Sequence, residues 1–370
     1  MTQELSTSLS AAERATLAKV GYAEESERAA TCVIADHGVR HISVNDEGVE
    51  ILPIAEALAR HDWVQDLYFG LLREDENDDI RAISRAPEAP VGHFIHVRAG
   101  AKPEKPIQVF CLLETPQARQ VLHNLVVIEE GAEVSMVTGS AVAEGVHTGQ
   151  HICLCETYLR EGAKCHSLSI EQWAEGVDVT SYDRADIARD AHAEAKSVMI
   201  TPVRNHRSEA RTRVAESGTA NDQSVVFAPE GATRIMESEC VLAGEGARSE
   251  SLTRMVTAGG RIDNLATVVG EGDDSYGFLG CDGLKLTPAG QIYSVPGLKA
   301  ISDKAQLSHE ASIGMISEEK LAYLESSGMS EEEASQLIVQ GFLDLKEQDM
   351  PEPVRQSMIE MIAAARFGSM

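Results

Sequence analysis

A glycine turn that returns on a fixed period constrains this chain more than any other feature. Ala99-Gly100-Ala101, Glu130-Gly131-Ala132 and Glu161-Gly162-Ala163 follow one another at a constant spacing of 31. Glu144-Gly145-Val146 and Glu175-Gly176-Val177 keep that same spacing, and farther on Glu230-Gly231-Ala232 and Glu245-Gly246-Ala247 stand at about half of it. The segments between are short and rich in Val, Ile, Thr and Ser, which suits strands. Turns at half-period intervals that alternate into the full repeat are what a flattened two-sided β-solenoid needs. Each coil lays a strand on both faces and must reverse at tight corners. Glycine fits those corners because it adopts positive φ freely. An antiparallel sandwich also uses glycine turns but gives no reason for a constant period across three of them.

This pattern predicts a mostly β chain divided into a helical region over 1–90, a solenoid core over 91–314 and a second helical region over 315–370. In the first region Ser10-Ala11-Ala12-Glu13 opens one helix and Pro53 begins another, with a short extended segment between them. Leu58, Trp63, Leu67, Phe69 and Leu71 read as core contacts, and the polar run Arg73 to Asp79 reads as a solvated turn. After residue 315, Ser317 caps a helix that ends at Gly328, and Ser330 with Glu333 makes a capping box before Ala334, Leu337 and Ile338. A last helix is expected after Pro351 and Pro353, carrying Val354, Met358, Met361 and Ile362. Helices appended to a solenoid are expected to cap its open end or to dock a partner.

With 32 Lys and Arg against 59 Asp and Glu the net charge is −27, a field that repels phosphate backbones and anionic lipid. Nucleic acid and membrane are therefore not expected partners, and no apolar run reaches the roughly 20 residues of a membrane span. With no leader segment legible, a cytoplasmic location is expected. Such acidity suits a highly soluble protein and would hold iron cations loosely. The cysteines Cys32, Cys111, Cys153, Cys155, Cys165, Cys240 and Cys281 are odd in number and scattered, which suggests reduced thiols and no disulfide framework.

The densest chemistry lies between residues 280 and 314. Cys281 precedes the pair His309-Glu310 by close to one coil period, so the three are expected on neighbouring rungs. Thiolate, imidazole and carboxylate together would make a mixed, exchange-labile iron site, whereas four thiolates would hold a cluster permanently. A thiol nucleophile with its base is the other chemistry for such a trio. Against it, adjacent His309 and Glu310 on a strand point to opposite faces. Cys153-x-Cys155 puts two thiols on one side of a strand, a pair that could bind metal or relay sulfur, with Cys165 about a turn on. His147 and His151 read as solvated. Neither a phosphate-binding glycine loop nor a nucleophile elbow is present.

At these residues the chain resembles the SufB/SufD family of iron-sulfur cluster assembly scaffolds, over about residues 30–345. The most specific part is SHEASIG (308–314) followed by LAYLESSGMSEEEASQLIVQGFL (321–343). Ile170-Glu171-Gln172-Trp173, Arg184-Ala185-Asp186 and the stretch GVEILPIAEALARHDWVQDLYFGLL near the start are also similar. The resemblance implies a right-handed parallel β-helix between helical regions, which is not an enzyme but works with a SufC-type ABC ATPase docked on its C-terminal helices. It further implies pairing through the β-helix ends, here as a homodimer. Carried over by position, Cys281 and Glu310, with His309 beside them, would hold a transient iron-sulfur cluster of the four-iron or two-iron type, passed to apoprotein acceptors. A flavin is an open expectation. The cysteine and glutamate make the chain more like SufB than SufD, in the short form of minimal systems. Ile187 stands where longer SufB chains carry a cysteine linked to sulfur intake. The alternatives are a SufD-like partner without its own cluster and a β-helix carbohydrate-active enzyme.

Overall fold

The computed structural model describes residues 5, 6, 8–200, 202–343 and 356. Two long sheets face each other, one of 11 strands and one of nine, and successive strands alternate between them. Strand Glu133–Val142 pairs in parallel with Lys164–Gln172, which pairs with His192–Met199, and this continues to Gln306–Met315. Thr148–Leu159, Gly176–Ile187, Asn205–Val214 and their successors to Gln291–Ala300 do the same on the other face. The result is a parallel β-solenoid of about eight turns.

The series of Gly100, Gly131 and Gly162 is the record of one corner, and Gly145 and Gly231 lie at another. Gly100, Gly131, Gly162, Asp190, Ser217, Gly246 and Asp274 all have positive φ. Each except the last donates its backbone N–H across to the next coil, as from Gly131 to Glu161 O at 2.9 Å and from Ser217 to Glu245 O at 2.8 Å. The visible repeat fades after residue 163 because Asp190, Ser217 and Asp274 fill the glycine place. The coil also shortens: in the register Glu133 stands beside Lys164, but Lys164 stands beside His192, a smaller step along the chain. The residues after these corners, Ala132, Ala163, Ala191 and Ala247, are buried and stack into the core.

Helices clothe the outer faces. Leu17 of helix Ala11–Ala18, whose Ser10 and Glu13 form a reciprocal capping box, packs with Val33, Phe110 and Ile170 on the larger sheet. Helices Ile54–Arg60 and Asp62–Gln65 pack Ile54, Ala57 and Val64 on Phe94, Leu125 and Val127 of the smaller one. The extended segment between Ala11–Ala18 and Ile54–Arg60 is three strands, and Ala30–Ala35 joins the larger sheet beside Ile107–Leu113. Trp63 remains 38% exposed, lying against Phe94 and His96.

The run Arg73 to Asp79 is anchored more firmly than its polarity suggests. Glu156, fully buried, accepts from the backbone N–H of Phe69, Leu71 and Leu72 and bonds His123 Nε2 at 2.8 Å. One coil on, buried Arg184 binds Glu76 and Glu209, and Tyr182 donates to Asp79. Glu76 thus serves a buried cation from within a run read as solvated.

After the last coil come helices Glu318–Ser326 and Glu331–Leu343, separated by Gly328 at positive φ. Val339 and Leu343 lie on Val225, Phe227, Val256 and Leu284, so the second helix covers the side of the larger sheet and not its open end. The helix expected after Pro351 and Pro353, with Val354, Met358, Met361 and Ile362, lies outside the described residues.

The corner account predicts opposite effects for two substitutions. The Cβ of Gly131→Ala meets no atom within 4 Å, so its cost is conformational alone, about 1–2 kcal/mol. Ser217→Gly relieves the same strain and raises the denaturation midpoint. Equilibrium urea unfolding of both variants checks the pair of signs.

Candidate functional site

Strand alternation decides what each candidate side chain faces. All seven cysteines are free, and every one points into the solenoid. Cys32, Cys111 and Cys165 are buried among Ile34, Val109 and Val134, and Cys281 lies with Met236, Met255 and Ile262. Cys153 and Cys155 share the inward side of Thr148–Leu159, as the spacing predicted, while Cys165 sits across a corner on the facing sheet. His147 is exposed, but His151 is not solvated. Alternation turns it inward, where it bonds Gln120 at 2.7 Å and packs on Trp173.

Cys281 lies on Tyr276–Lys285 and His309 and Glu310 on the adjoining rung, Gln306–Met315. The register sets Cys281 beside Ala311, Leu279 beside His309 and Gly280 beside Glu310. Cys281 and His309 therefore share the inward side, diagonal neighbours about 8 Å apart from the rung spacing and rise of a sheet, and Glu310 is on the outward side. Cys281 is 2% exposed, and Asn264 Nδ2 donates to its Sγ at 3.4 Å from the opposite sheet. Burial pushes the thiol above its ordinary value, opposed by the nearby Ser294 hydroxyl and the Asn264 amide. Neither polar neighbour was foreseen. Both lie on the facing sheet, and only the register brings them to Cys281.

Gln306–Met315 ends the larger sheet and Gln291–Ala300 the smaller one. Nothing among the described residues pairs their outer edges. Tyr293 is 61% exposed, Ile301 58%, Ile313 46% and Met315 50%, an apolar rim around open backbone groups of the kind proteins normally cover. Among the described residues no three His, Cys, Asp or Glu side chains converge tightly enough to hold a metal.

The motif around Trp173 is an interior polar knot. Glu171 accepts from Trp173 Nε1 and bonds His206 Nε2, both at 2.9 Å. Burial pushes its carboxyl up, but His206, Trp173 and His151 together pull it down to about 2.

The profile of the SufBD core domain of the SUF iron-sulfur cluster assembly system matches residues 111–342. The chain belongs to the SufBD family. An iron-sulfur cluster assembly SufBD family protein of Archaeoglobus fulgidus is 31% identical over 342 residues, covering 92% of each chain. One of Methanothermobacter thermautotrophicus is 30% identical, covering 91% of this chain and 83% of its own. The SufB protein of Bacillus subtilis is 25% identical, covering 75% of this chain and 60% of its own. The SufBD core thus spans most of the solenoid and both described C-terminal helices. No helix among the described residues is long and apolar enough to cross a membrane.

Two outcomes follow. Because every thiol faces inward, the native chain should give almost no fast reaction with a bulky disulfide reagent, and all seven cysteines should titrate once it is unfolded; rapid native labelling of Cys281 would contradict the geometry. The depressed carboxyl of Glu171 contributes stability that is complete above the ordinary value near 4.5 and is lost as pH falls toward 2. Glu171→Gln should remove that part of the acid dependence, read as denaturation midpoint against pH.

Proposed function

We propose that this SufBD protein is a non-catalytic, cytoplasmic scaffold that holds a nascent iron-sulfur cluster as cargo between two copies of itself. The open final coil is the observation that carries the reading. Its exposed edges and the rim of Tyr293, Ile301, Ile313 and Met315 suit continuation of the solenoid into a second copy, by edge pairing or by apolar contact.

Cys281, His309 and Glu310 lie on the last two rungs, beside that edge. Their failure to converge within one chain fits a site that needs two chains, in which a twofold axis duplicates the thiol, imidazole and carboxylate. Two thiolates with nitrogen and oxygen donors would bind ferrous iron and sulfide and still release them to an acceptor. The cluster would be of the four-iron or two-iron type. Asn264 and Ser294 would steady the Cys281 thiolate by hydrogen bonding.

A SufC-type ATPase is the proposed partner, docked on Glu318–Ser326 and Glu331–Leu343. Tyr323, 71% exposed, and Leu337, 45% exposed, supply an apolar outer surface on helices whose inner side is already committed to the sheet. Closure of two such ATPases would shift the paired edges and open the cargo site. The cysteine with glutamate favours a SufB-like over a SufD-like role.

The test is anaerobic reconstitution with ferrous iron and sulfide in the presence of the partner ATPase, reading bound iron and its Mössbauer spectrum. Wild type should gain a cluster, and Cys281→Ala, Glu310→Ala and His309→Ala should each lower its occupancy, Cys281→Ala most. A full cluster in all four would put the cargo site elsewhere in the chain, and no cluster in any would assign the chain a structural, SufD-like role.

A further inference from the structure

The solenoid is not packed evenly across its width. At one edge Leu159, Ile187, Val214 and Leu242 stack as apolar core, and toward the other Trp173, Val177 and Val179 do the same. Between them the inward positions are small or polar, among them Ser167, Ser169, Ser181, Ser197, Ser208 and Ser224. Several retain accessible surface although they face inward: Cys153, Cys155 and Cys240 are only half-buried, and Asp183 is more open still. A strip of free space therefore runs beside the thiols.

We infer that Cys153 and Cys155 form a two-coordinate thiolate site inside the solenoid for a soft monovalent metal ion, Cu(I). The pair sits at positions i and i+2 of one strand, with both side chains on the inward side. Those positions are about 7 Å apart. Leaning toward each other, the side chains close to the roughly 4.6 Å that two collinear metal–sulfur bonds of ordinary thiolate length span.

Donor number selects the ion. No third His, Cys, Asp or Glu among the described residues completes a metal-holding group here, and zinc and iron centres ask for four ligands. Two soft thiolates alone suit Cu(I) among the first-row metals.

Charge keeps the metal-free site protonated. Glu171, Asp183 and Asp222 face the strip, with Asp183 beside Cys155 in the register, against Arg234 and the His206 that bonds Glu171. These carboxylates repel anions such as sulfide and disfavour free thiolates, so only an ion of high thiolate affinity displaces the two protons. The bound complex is prepared for as well: Asn124 Nδ2 donates to Cys153 Sγ at 3.3 Å, and Thr157 Oγ1 lies 3.9 Å from Cys155 Sγ. Binding exchanges two thiol protons for one Cu(I), leaving a dithiolate complex of charge −1 with no change of oxidation state.

The site stands apart from the proposed cluster site and does not depend on it. Cys281 is several coils away along the solenoid.

The experiment is anaerobic titration of the full chain with Cu(I) against bicinchoninate as competitor, with X-ray absorption at the copper edge. Expected are one tightly bound ion per chain and a shell of two sulfurs. Cys153→Ser and Cys155→Ser should each weaken binding by roughly 100-fold or more, whereas Cys111→Ser and Cys165→Ser should leave it unchanged, with all four melting as wild type does. Unaltered affinity in the Cys153→Ser/Cys155→Ser double variant would overturn the proposal. So would a three-sulfur shell in wild type, which needs no variant to fold, or ferrous iron held at these two cysteines as tightly as Cu(I).

Discussion

Everything in this chain depends on a corner that can be stacked. A residue at positive φ turns the backbone and sends its N–H into the carbonyl of the next coil, and repetition of that bond keeps the parallel sheets in register. Parallel strands cannot be joined by tight hairpins, so a solenoid has to find its reversals elsewhere. Here each coil finds one at Gly131, Gly162, Gly246 and their equivalents. Strand alternation then follows the corner, and it fixes which residues become interior and which meet the helices.

Two consequences bear on the proposed function. The first is that a stack has an end. The last coil exposes backbone edges and an apolar rim, and Cys281, His309 and Glu310, the proposed iron donors, lie on the two rungs beside it. The second is that the interior gathers every thiol. Some are packed in hydrocarbon, whereas Cys153 and Cys155 border free space lined by small polar side chains and carboxylates. Burial raises both of these thiols, Cys155 to about 12, so neither is a ready nucleophile, and each gives up its proton only to a strongly held partner.

The fold was legible because its period is written in glycine. Three corners in a row carry Glu-Gly-Ala or its near equivalent, and no hairpin protein needs that regularity. The later corners were hidden because aspartate and serine also tolerate the left-handed region at modest cost. The proposed site was legible only as far as the rungs that carry its residues. A spacing close to one coil placed Cys281 near His309 and Glu310, but the register that sets Cys281 beside Ala311 decides which of them shares its side. Asn264 and Glu76 were beyond reach for one reason, that each acts across the structure on a partner far away in sequence. The polarity of Arg73 to Asp79 gave no hint that Glu76 serves a buried arginine, and the inward turn of His151 was masked by the glycines around it.

The central claim is that the exposed final coil completes the cargo site by pairing with a second copy. The most direct measurement is sedimentation of the Ile313→Lys variant beside wild type, coupled to anaerobic iron and sulfide reconstitution of both. Ile313 is exposed and chemically inert toward iron, so the account predicts that the charged variant sediments as a monomer and fails to retain a cluster although Cys281, His309 and Glu310 are untouched. A monomeric variant that holds a full cluster would contradict it.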